Sequence, residues 1–267
     1  MTLPDNRPAR KPRRLGLIIP WGLAVVFVVA WSLGWVWLKG ETERRMDAAR
    51  ASMAQTGWRL DWSSRTVSGF PFRLNVDLQN ARWGEASGWS ITAPALKAQA
   101  YISAPTHWVM LAPMGGVITR PNGDLEFVTA KVLRGSLSDF GAVPPRISVE
   151  GIGLRVGTNA GAQPVWMSTA AEFHLHAKAG PNDQGALYIE LDQARTSAGM
   201  EPPETSIFDA TYTHARALRG RNFSDAFQSW AKAGGTLHIR RLDDPPHSPF
   251  AWGIVDPRPL PRHTAPP

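Results

Sequence analysis

Glu172, His174 and His176 are the residues whose types and spacing come nearest to catalytic chemistry in this chain. Residues two apart on a β-strand lie on one face, so the three side chains would project together. Two imidazoles and a carboxylate can hold zinc, which would activate a water molecule for hydrolysis. Plain solvation of a half-exposed strand gives the same pattern, and no other histidine stands at a spacing that completes a site. We therefore predict no metal site and keep these residues as the alternative.

Motifs for nucleotide or acyl-transfer chemistry are incomplete. The glycines at 151, 153 and 157 lack the spacing of a phosphate-binding loop, and a strand pattern rather than a helix accompanies them. No Gly-x-Ser-x-Gly motif occurs in the sequence. The chain also has no cysteine, which excludes disulfides and cysteine-ligated zinc. We predict that the protein is not an enzyme and requires no cofactor.

Aromatic residues are the other candidates, for ligand contact rather than for catalysis. Eight of the 12 tryptophans follow residue 57. They could line an apolar groove for a lipid or another amphiphile, or they could fill the core of a curved sheet. Core filling is favoured because the tryptophans do not recur at a fixed interval on one strand face. The candidate ligand-binding residues are Trp58, Trp62, Phe70, Phe72, Trp89 and Trp108.

An uncharged apolar run at residues 15–38 would tether these candidates to a membrane. As a helix, the run would be about 36 Å long, enough to cross a hydrocarbon core of about 30 Å. Five cations in residues 1–14 predict a cytoplasmic N-terminus and an exported remainder. The run is longer than the core of a typical signal peptide, so we expect an uncleaved anchor. Trp31, Trp35 and Trp37 would place their indole N–H groups among the lipid headgroups.

The net charge of +7 does not indicate a nucleic-acid partner. Residues 1–14 carry five cations and one anion, Asp5. Their net charge of +4 serves membrane topology. The remaining +3 is dispersed along the chain without an arginine-rich stripe. We therefore expect contact with membrane lipid and none with nucleic acid.

Alternation with a period of two dominates from Trp58 onward. In residues 72–79 the apolar and polar side chains occupy opposite faces, which is the pattern of a half-buried strand. Turn signals such as Pro121-Asn122-Gly123-Asp124 separate many such segments. Further strands are predicted at residues 96–103, 108–111, 116–120, 124–133, 146–149, 152–156, 165–177, 186–192 and 235–241.

The predicted fold is mainly β (α+β), a transmembrane helix and stalk followed by a long curved antiparallel β-meander with one or two C-terminal helices. Helices are predicted at 205–218 and at 224–233, the second capped by Ser224 and ended by Gly234. The predicted divisions are a basic tail (1–14), a transmembrane helix (15–38), a helical stalk ended by Gly57 (39–56), a β-rich domain (57–242) and a proline-rich disordered tail (243–267).

Several short motifs follow one another in an order that resembles a known family. The most specific is Gly69-Phe70-Pro71-Phe72-Arg73; weaker ones are Gly57-Trp58, Gly88-Trp89, Pro105-Thr106-His107 and Gly135-Ser136-Leu137. Over residues 57–240 they resemble domain-of-unknown-function family 2125, envelope proteins found mostly in alphaproteobacteria. The resemblance implies an inner-membrane anchor, a β-rich periplasmic domain and no established activity. An analogy of fold with AsmA-like envelope proteins would add the handling of lipid.

The chain departs from this family near residue 242. Similar proteins continue with further strands, whereas a proline-rich sequence follows here. We expect a C-terminus that is truncated or read out of frame from about residue 242. The strand at 235–241 would then be an exposed edge.

Three functions are open from the sequence. The first is an inner-membrane-anchored periplasmic module that binds or transports lipid or another amphiphile. The second is an envelope scaffold or protein-interaction module without a ligand, with other envelope proteins as partners. The third is a hydrolase that uses the alternative metal site. The first requires a continuous apolar groove on the sheet, and a face fully covered by the chain's own helices would count against it.

Overall fold

The computed structural model describes residues 15–158, 164–180, 183–196 and 204–243. The predicted basic tail (1–14) lies outside the described residues, as does the predicted C-terminal tail from residue 244 onward. The first described element, α1 (Leu15–Gln55), contains the predicted span and the predicted stalk in one unbroken helix. This helix is long and apolar enough to cross a membrane, which suggests a single-pass anchor.

The remaining described residues form mainly one antiparallel sheet of thirteen strands, which confirms the predicted fold class. The strands are β1 (Trp58–Asp61), β2 (Ser64–Ser68), β3 (Arg73–Glu85), β4 (Ser90–Tyr101), β5 (Ala104–Leu111), β6 (Gly116–Thr119), β7 (Leu125–Thr129), β8 (Val132–Ser138), β9 (Arg146–Gly157), β10 (Trp166–Ala177), β11 (Gly185–Thr196), β12 (Glu204–Tyr212) and β13 (Leu237–Asp243).

Strands that are neighbours in sequence are mostly neighbours in the sheet, so the topology is close to a meander. The order is β1-β3-β4-β5-β8-β9-β10-β11-β12-β13, and β2 also pairs with β3. The β6–β7 hairpin lies beside β5 and β8. Strand β6 pairs with β4, which also pairs with β5, and β7 pairs with β9, which also pairs with β8. The predicted turn at residues 121–124 forms this hairpin, with Gly123 at φ +88°.

The most buried part of the sheet lies under α1. Val67, Leu74, Val76, Leu78 and Ala81, on β2 and β3, form this cluster. The partly buried residues packed against it are Leu38, Met46, Trp62, Leu96, Ala98 and Trp108. Because Leu38 and Met46 belong to α1, the second half of this helix is joined to the sheet rather than standing free as a stalk.

Two sets of predicted strand boundaries are wrong. The predicted strand at 124–133 is two strands, because β7 pairs with β6 and β9 whereas β8 pairs with β5 and β9. The predicted strands at 146–149 and 152–156 are one strand, β9, because β10 pairs with it from Ile147 to Val156. Gly153, at φ +62°, lies within this strand, and the register against β10 is the same on both sides of it.

The helix predicted at 205–218 is also wrong. Residues 204–212 form β12, and a short 3-10 helix (Ala215–Ala217) follows. The strand hydrogen-bonds to β11 on one side and to β13 on the other, and Ala210, two residues before its end, is fully buried. Two ladders of backbone hydrogen bonds outweigh a weak local preference for helix.

The second predicted C-terminal helix is confirmed as α2 (Phe223–Lys232), with a different cap. The side-chain oxygen of Asn222, rather than that of Ser224, accepts a hydrogen bond from the backbone N–H of Asp225 at 2.8 Å. An asparagine directly before the first helical turn satisfies one of the unpaired N–H groups there. Gly234, at φ +79°, follows the helix as predicted.

Candidate functional site

The register of the sheet builds a continuous row of apolar residues. Cross-strand partners in adjacent strands lie side by side on one face. Following these partners from β2 to β13 gives ten residues on ten strands, all apolar or glycine. The row consists of Val67, Val76, Ala98, Met110, Gly135, Val149, Phe173, Ile189, Phe208 and Leu242.

A second row of the same kind runs beside the first. It consists of Trp108, Leu137, Ile147, Leu175, Leu187, Ala210 and Ile239. On β8 to β12 each member stands two residues from a member of the first row, so both rows share a face. We call the two rows together the apolar face.

The opposite face of the same strands is polar. A row there consists of Ser136, Ser148, His174, Tyr188, Asp209 and Arg241. Next to it, Glu150, Glu172 and Glu190 are cross-strand partners. The sheet is therefore two-sided, and only its apolar face resembles the wall of a lipid site.

Helix α1 covers only one end of the apolar face. In the described part of the chain, α1 packs against the sheet over β1 to β3, and neither helix packs extensively on β8 to β13. Val149, in the middle of the first row, is 36% exposed, and the last residues of the two rows, Leu242 and Ile239, are also exposed. The apolar face is thus not closed by the chain's own helices in the described residues.

An aromatic cavity of about 220 Å³ lies where the start of α2 meets β1, β3 and β4. Trp58 stacks on Trp83, with ring centroids 5.1 Å apart, and Phe223 of α2 meets both rings edge-on. The indole N–H of Trp58 donates to the carbonyl of Gly220 at 2.8 Å. Trp89 lines the same cavity. Two of the predicted ligand residues, Trp58 and Trp89, therefore share one apolar pocket.

Close packing at this junction explains why residue 57, between α1 and β1, is a glycine. Its φ is +88°, and a Cβ there would lie 2.9 Å from the Cβ of Arg221. Glycine is the residue that accepts both conditions. The predicted stop of α1 is thus confirmed, and its tertiary role is to let the C-terminal segment approach β1.

Trp62 and Trp108 pack against the core cluster under α1. The guanidinium groups of Arg50 and Arg65 lie 5.2 and 5.4 Å from the centroid of the Trp62 ring. Arg65 in turn binds Asp47 of α1 through both nitrogens, at 2.8 and 3.1 Å, and this hydrogen bonding lowers the pKa of the Asp47 carboxyl. These contacts fasten α1 to β2.

Phe70 and Phe72 lie against the apolar part of α1. Phe70 meets the ring of Trp35 edge-on at 5.7 Å, and Phe72 lies 6.2 Å from the ring of Trp31. The indole N–H groups of these tryptophans donate to backbone carbonyls of the sheet domain instead of reaching freely toward headgroups. The six predicted ligand residues thus fall into three separate groups.

The alternative metal ligands do not converge. His174 Nε2 lies 3.2 Å from a carboxylate oxygen of Glu172, and its Nδ1 lies 2.9 Å from the hydroxyl of Ser148. Burial and neighbouring cations lower the pKa of His176. Among the described residues, no three histidine, aspartate or glutamate side chains are placed to share a metal ion.

A second cavity, of about 480 Å³, has a charged lining. It lies where β7 and β9 to β11 meet, and Lys131, Arg155 and Arg195 contribute to its wall. Cross-strand pairing sets Arg155 and Arg195 on either side of Met167. Its cations suit an anionic group better than an acyl chain.

Sequence reasoning missed Phe223 as a partner of the aromatic cavity and did not single out Trp83. Trp83 lies on β3 opposite Leu60, whereas Phe223 follows it by 140 positions. No local pattern marks a contact between residues so far apart. The strand alternation around Trp83 is the one signal that could have placed it beside β1.

Comparison with known proteins gives one family. A family model described as an uncharacterized protein conserved in bacteria (DUF2125) matches residues 35–248. Neither a curated protein nor a solved structure matches the chain. The match includes the end of α1, every strand of the sheet and α2. The chain therefore belongs to the DUF2125 family of bacterial proteins, as its Gly-Phe-Pro-Phe-Arg motif and the order of its weaker motifs predicted.

Proposed function

We propose that this protein is a single-pass inner-membrane protein whose periplasmic sheet binds a lipid or another amphiphile on its apolar face. The observation that carries the proposal is the row of nine apolar residues and one glycine across ten strands. A soluble antiparallel sheet normally buries such a face against other elements. Here the described helices cover only its first strands.

The size and position of the apolar face favour a membrane-derived ligand. Ten strands spaced about 4.8 Å apart make a row of roughly 43 Å. The row starts on β2 and β3, which pack on the anchor helix, and it continues across the sheet to β13. An amphiphile leaving the bilayer beside α1 would therefore meet an unbroken apolar surface.

A photo-crosslinking experiment on the full chain tests this proposal. The crosslinker p-benzoylphenylalanine replaces Val149, on the apolar face, in cells grown with radiolabelled phosphate. The matched control is Ile152, three residues away on the opposite face of β9 and similarly exposed (40%, against 36% for Val149). Val26 in the span serves as the positive control for contact with lipid.

We expect a phosphate-labelled lipid adduct at Val149 and none at Ile152. The reason is that a bound acyl chain would lie within reach of one face only. Labelling at Val26 with no adduct at Val149, or equal labelling at Val149 and Ile152, would contradict the proposal.

A second candidate function is protein interaction through β13. In the described residues β13 pairs with β12 alone, and all seven of its residues are exposed. An open strand edge can pair with a strand from another protein. The same crosslinker at Ile239, with Phe227 on α2 as an exposed control, separates the two functions. A single protein adduct of constant mass at Ile239, without a lipid adduct at Val149, would favour the scaffold.

A further inference from the structure

The loop between β2 and β3 is attached to the apolar half of α1. We call residues 69–72, Gly-Phe-Pro-Phe, the phenylalanine loop. The indole N–H of Trp31 donates to the carbonyl of Pro71 at 2.8 Å, and that of Trp35 donates to the carbonyl of Arg73 at 3.1 Å. Two hydrogen bonds and two ring contacts thus hold the loop at a defined height on the helix.

The helix rise gives that height. If the run 15–38 is centred in a bilayer, its midpoint lies between residues 26 and 27. At 1.5 Å per residue, Trp31 is then about 7 Å and Trp35 about 13 Å from the midplane. The hydrocarbon extends about 15 Å from the midplane. The loop therefore lies level with the acyl chains of the leaflet nearest the sheet.

Three of the four backbone carbonyls of the loop, those of Gly69, Pro71 and Phe72, accept hydrogen bonds. Irregular backbone enters the hydrocarbon only where its polar groups are satisfied. Besides the two tryptophan bonds, the carbonyl of Gly69 accepts from the N–H of Arg73 at 3.0 Å, and the carbonyl of Phe72 accepts from the N–H of Ile102 at 3.1 Å. Pro71 has no N–H to satisfy.

The side chains of the loop also match a lipid environment. Phe70 is 54% exposed and Phe72 is 66% exposed, although each touches a tryptophan of α1. Arg73 follows Phe72, and its carbonyl meets Trp35, which is one helical turn farther from the midplane than the Trp31 that Phe72 contacts. The guanidinium group of Arg73 donates to the hydroxyl of Tyr101 at 3.3 Å and lies 5.1 Å from its ring. A phenylalanine deeper than an arginine and a tyrosine is the order expected on passing from acyl chains to headgroups.

We propose that the phenylalanine loop inserts Phe70 and Phe72 into the bilayer beside α1 and so seats the sheet on the membrane surface. The loop and α1 would then hold the domain at two points, and the first strands of the apolar face would stand at the lipid surface. This inference uses the membrane anchor of the proposed function but does not require that the apolar face bind a ligand.

Fluorescence quenching in vesicles tests the insertion. The chain has no cysteine, so a single introduced cysteine can carry an environment-sensitive NBD label. The variants of the full chain are Phe72→Cys, Val26→Cys in the span and Met114→Cys, and the native residues are 66%, 62% and 65% exposed. Met114 follows the far end of β5, about 25 Å from the turn beside Phe72 by strand rise. The vesicles contain phosphatidylethanolamine, phosphatidylglycerol and a doxyl-labelled lipid.

We expect strong quenching of the labels at Phe72 and Val26 and little quenching at Met114. Quenching at Val26 with none at Phe72 would overturn the loop insertion and leave the anchor intact. No quenching at Val26 would remove the anchor, and with it both this inference and the membrane part of the proposed function. If Phe72→Cys does not fold, Phe70→Cys gives the same readout from the other ring of the loop.

Discussion

Replacing Gly69 by alanine should detach the phenylalanine loop from α1. Gly69 has φ +108°, and a Cβ there would lie 2.7 Å from the carbonyl oxygen of Arg73. That oxygen is the acceptor for the indole of Trp35, and the N–H of Arg73 donates back to Gly69. The new methyl group would therefore displace the backbone of Arg73, whose carbonyl and N–H each make one of these two hydrogen bonds.

The expected cost has two parts. An L-residue forced into a left-handed backbone conformation costs roughly 1–2 kcal/mol. Each lost hydrogen bond adds about 0.5–1.5 kcal/mol, and two are at risk. We expect Gly69→Ala to lower the free energy of unfolding by roughly 2–5 kcal/mol.

Gly123→Ala is the matched control, because it isolates the backbone strain. Gly123 also has positive φ, +88°, but a Cβ there would meet no atom within 4 Å. Its replacement should cost only the roughly 1–2 kcal/mol of strain. The difference between the variants, about 1–3 kcal/mol, corresponds to about 2–12 °C in Tm for a domain of this size.

Thermal unfolding of the full chain in nanodiscs, followed by near-ultraviolet circular dichroism, measures the difference. The label at Phe72 should also lose part of its quenching by doxyl lipid in the Gly69→Ala background. If Gly69→Ala and Gly123→Ala lower Tm equally and quenching is unchanged, the loop is not held by the contacts described above.

Two further predictions concern α2 and β12. Asn222→Ala should destabilise the protein by about 1 kcal/mol because it removes the N-cap of α2, whereas Ser224→Ala should have almost no effect. Urea unfolding measures the free energy of unfolding of both variants. Equal losses of this free energy would contradict the assigned cap. Burial raises the pKa of the Tyr212 hydroxyl to about 12. Since that group keeps its proton longer when folded, stability should be complete below about pH 10 and fall as the pH rises toward about 12. Tyr212→Phe should flatten this fall, and an unchanged pH profile in urea unfolding would refute the assignment.

Much of the architecture could be predicted because it depends on local pattern. An uncharged run of apolar residues can bury its surface only in a bilayer or a core, and α1 bears that run. Alternation in residues 96–103 and 165–177 marked strands β4 and β10, since one face of each strand is apolar. The helix at 205–218 was mispredicted because β12 owes its state to its neighbours β11 and β13.

The candidate site was less predictable than the strands. Trp58 and Trp89 were chosen as single aromatic residues, and only folding shows that they share a cavity with Phe223. The two apolar rows depend on which residues are partners across the sheet. A shift of one residue in any strand would move its apolar side chains to the polar face, and no local pattern states that register.

The amino-acid sequence by itself determined the elements of this protein: an apolar helix, a series of two-faced strands and a family motif at residues 69–73. Periodicity settles these features because each depends on residues a few positions apart. Only the tertiary structure decided that this motif meets Trp31 and Trp35 of α1, and that Trp58 donates to Gly220 across 162 positions of chain. Contacts of that range exist only after the sheet has formed, when strand pairing has brought distant segments together.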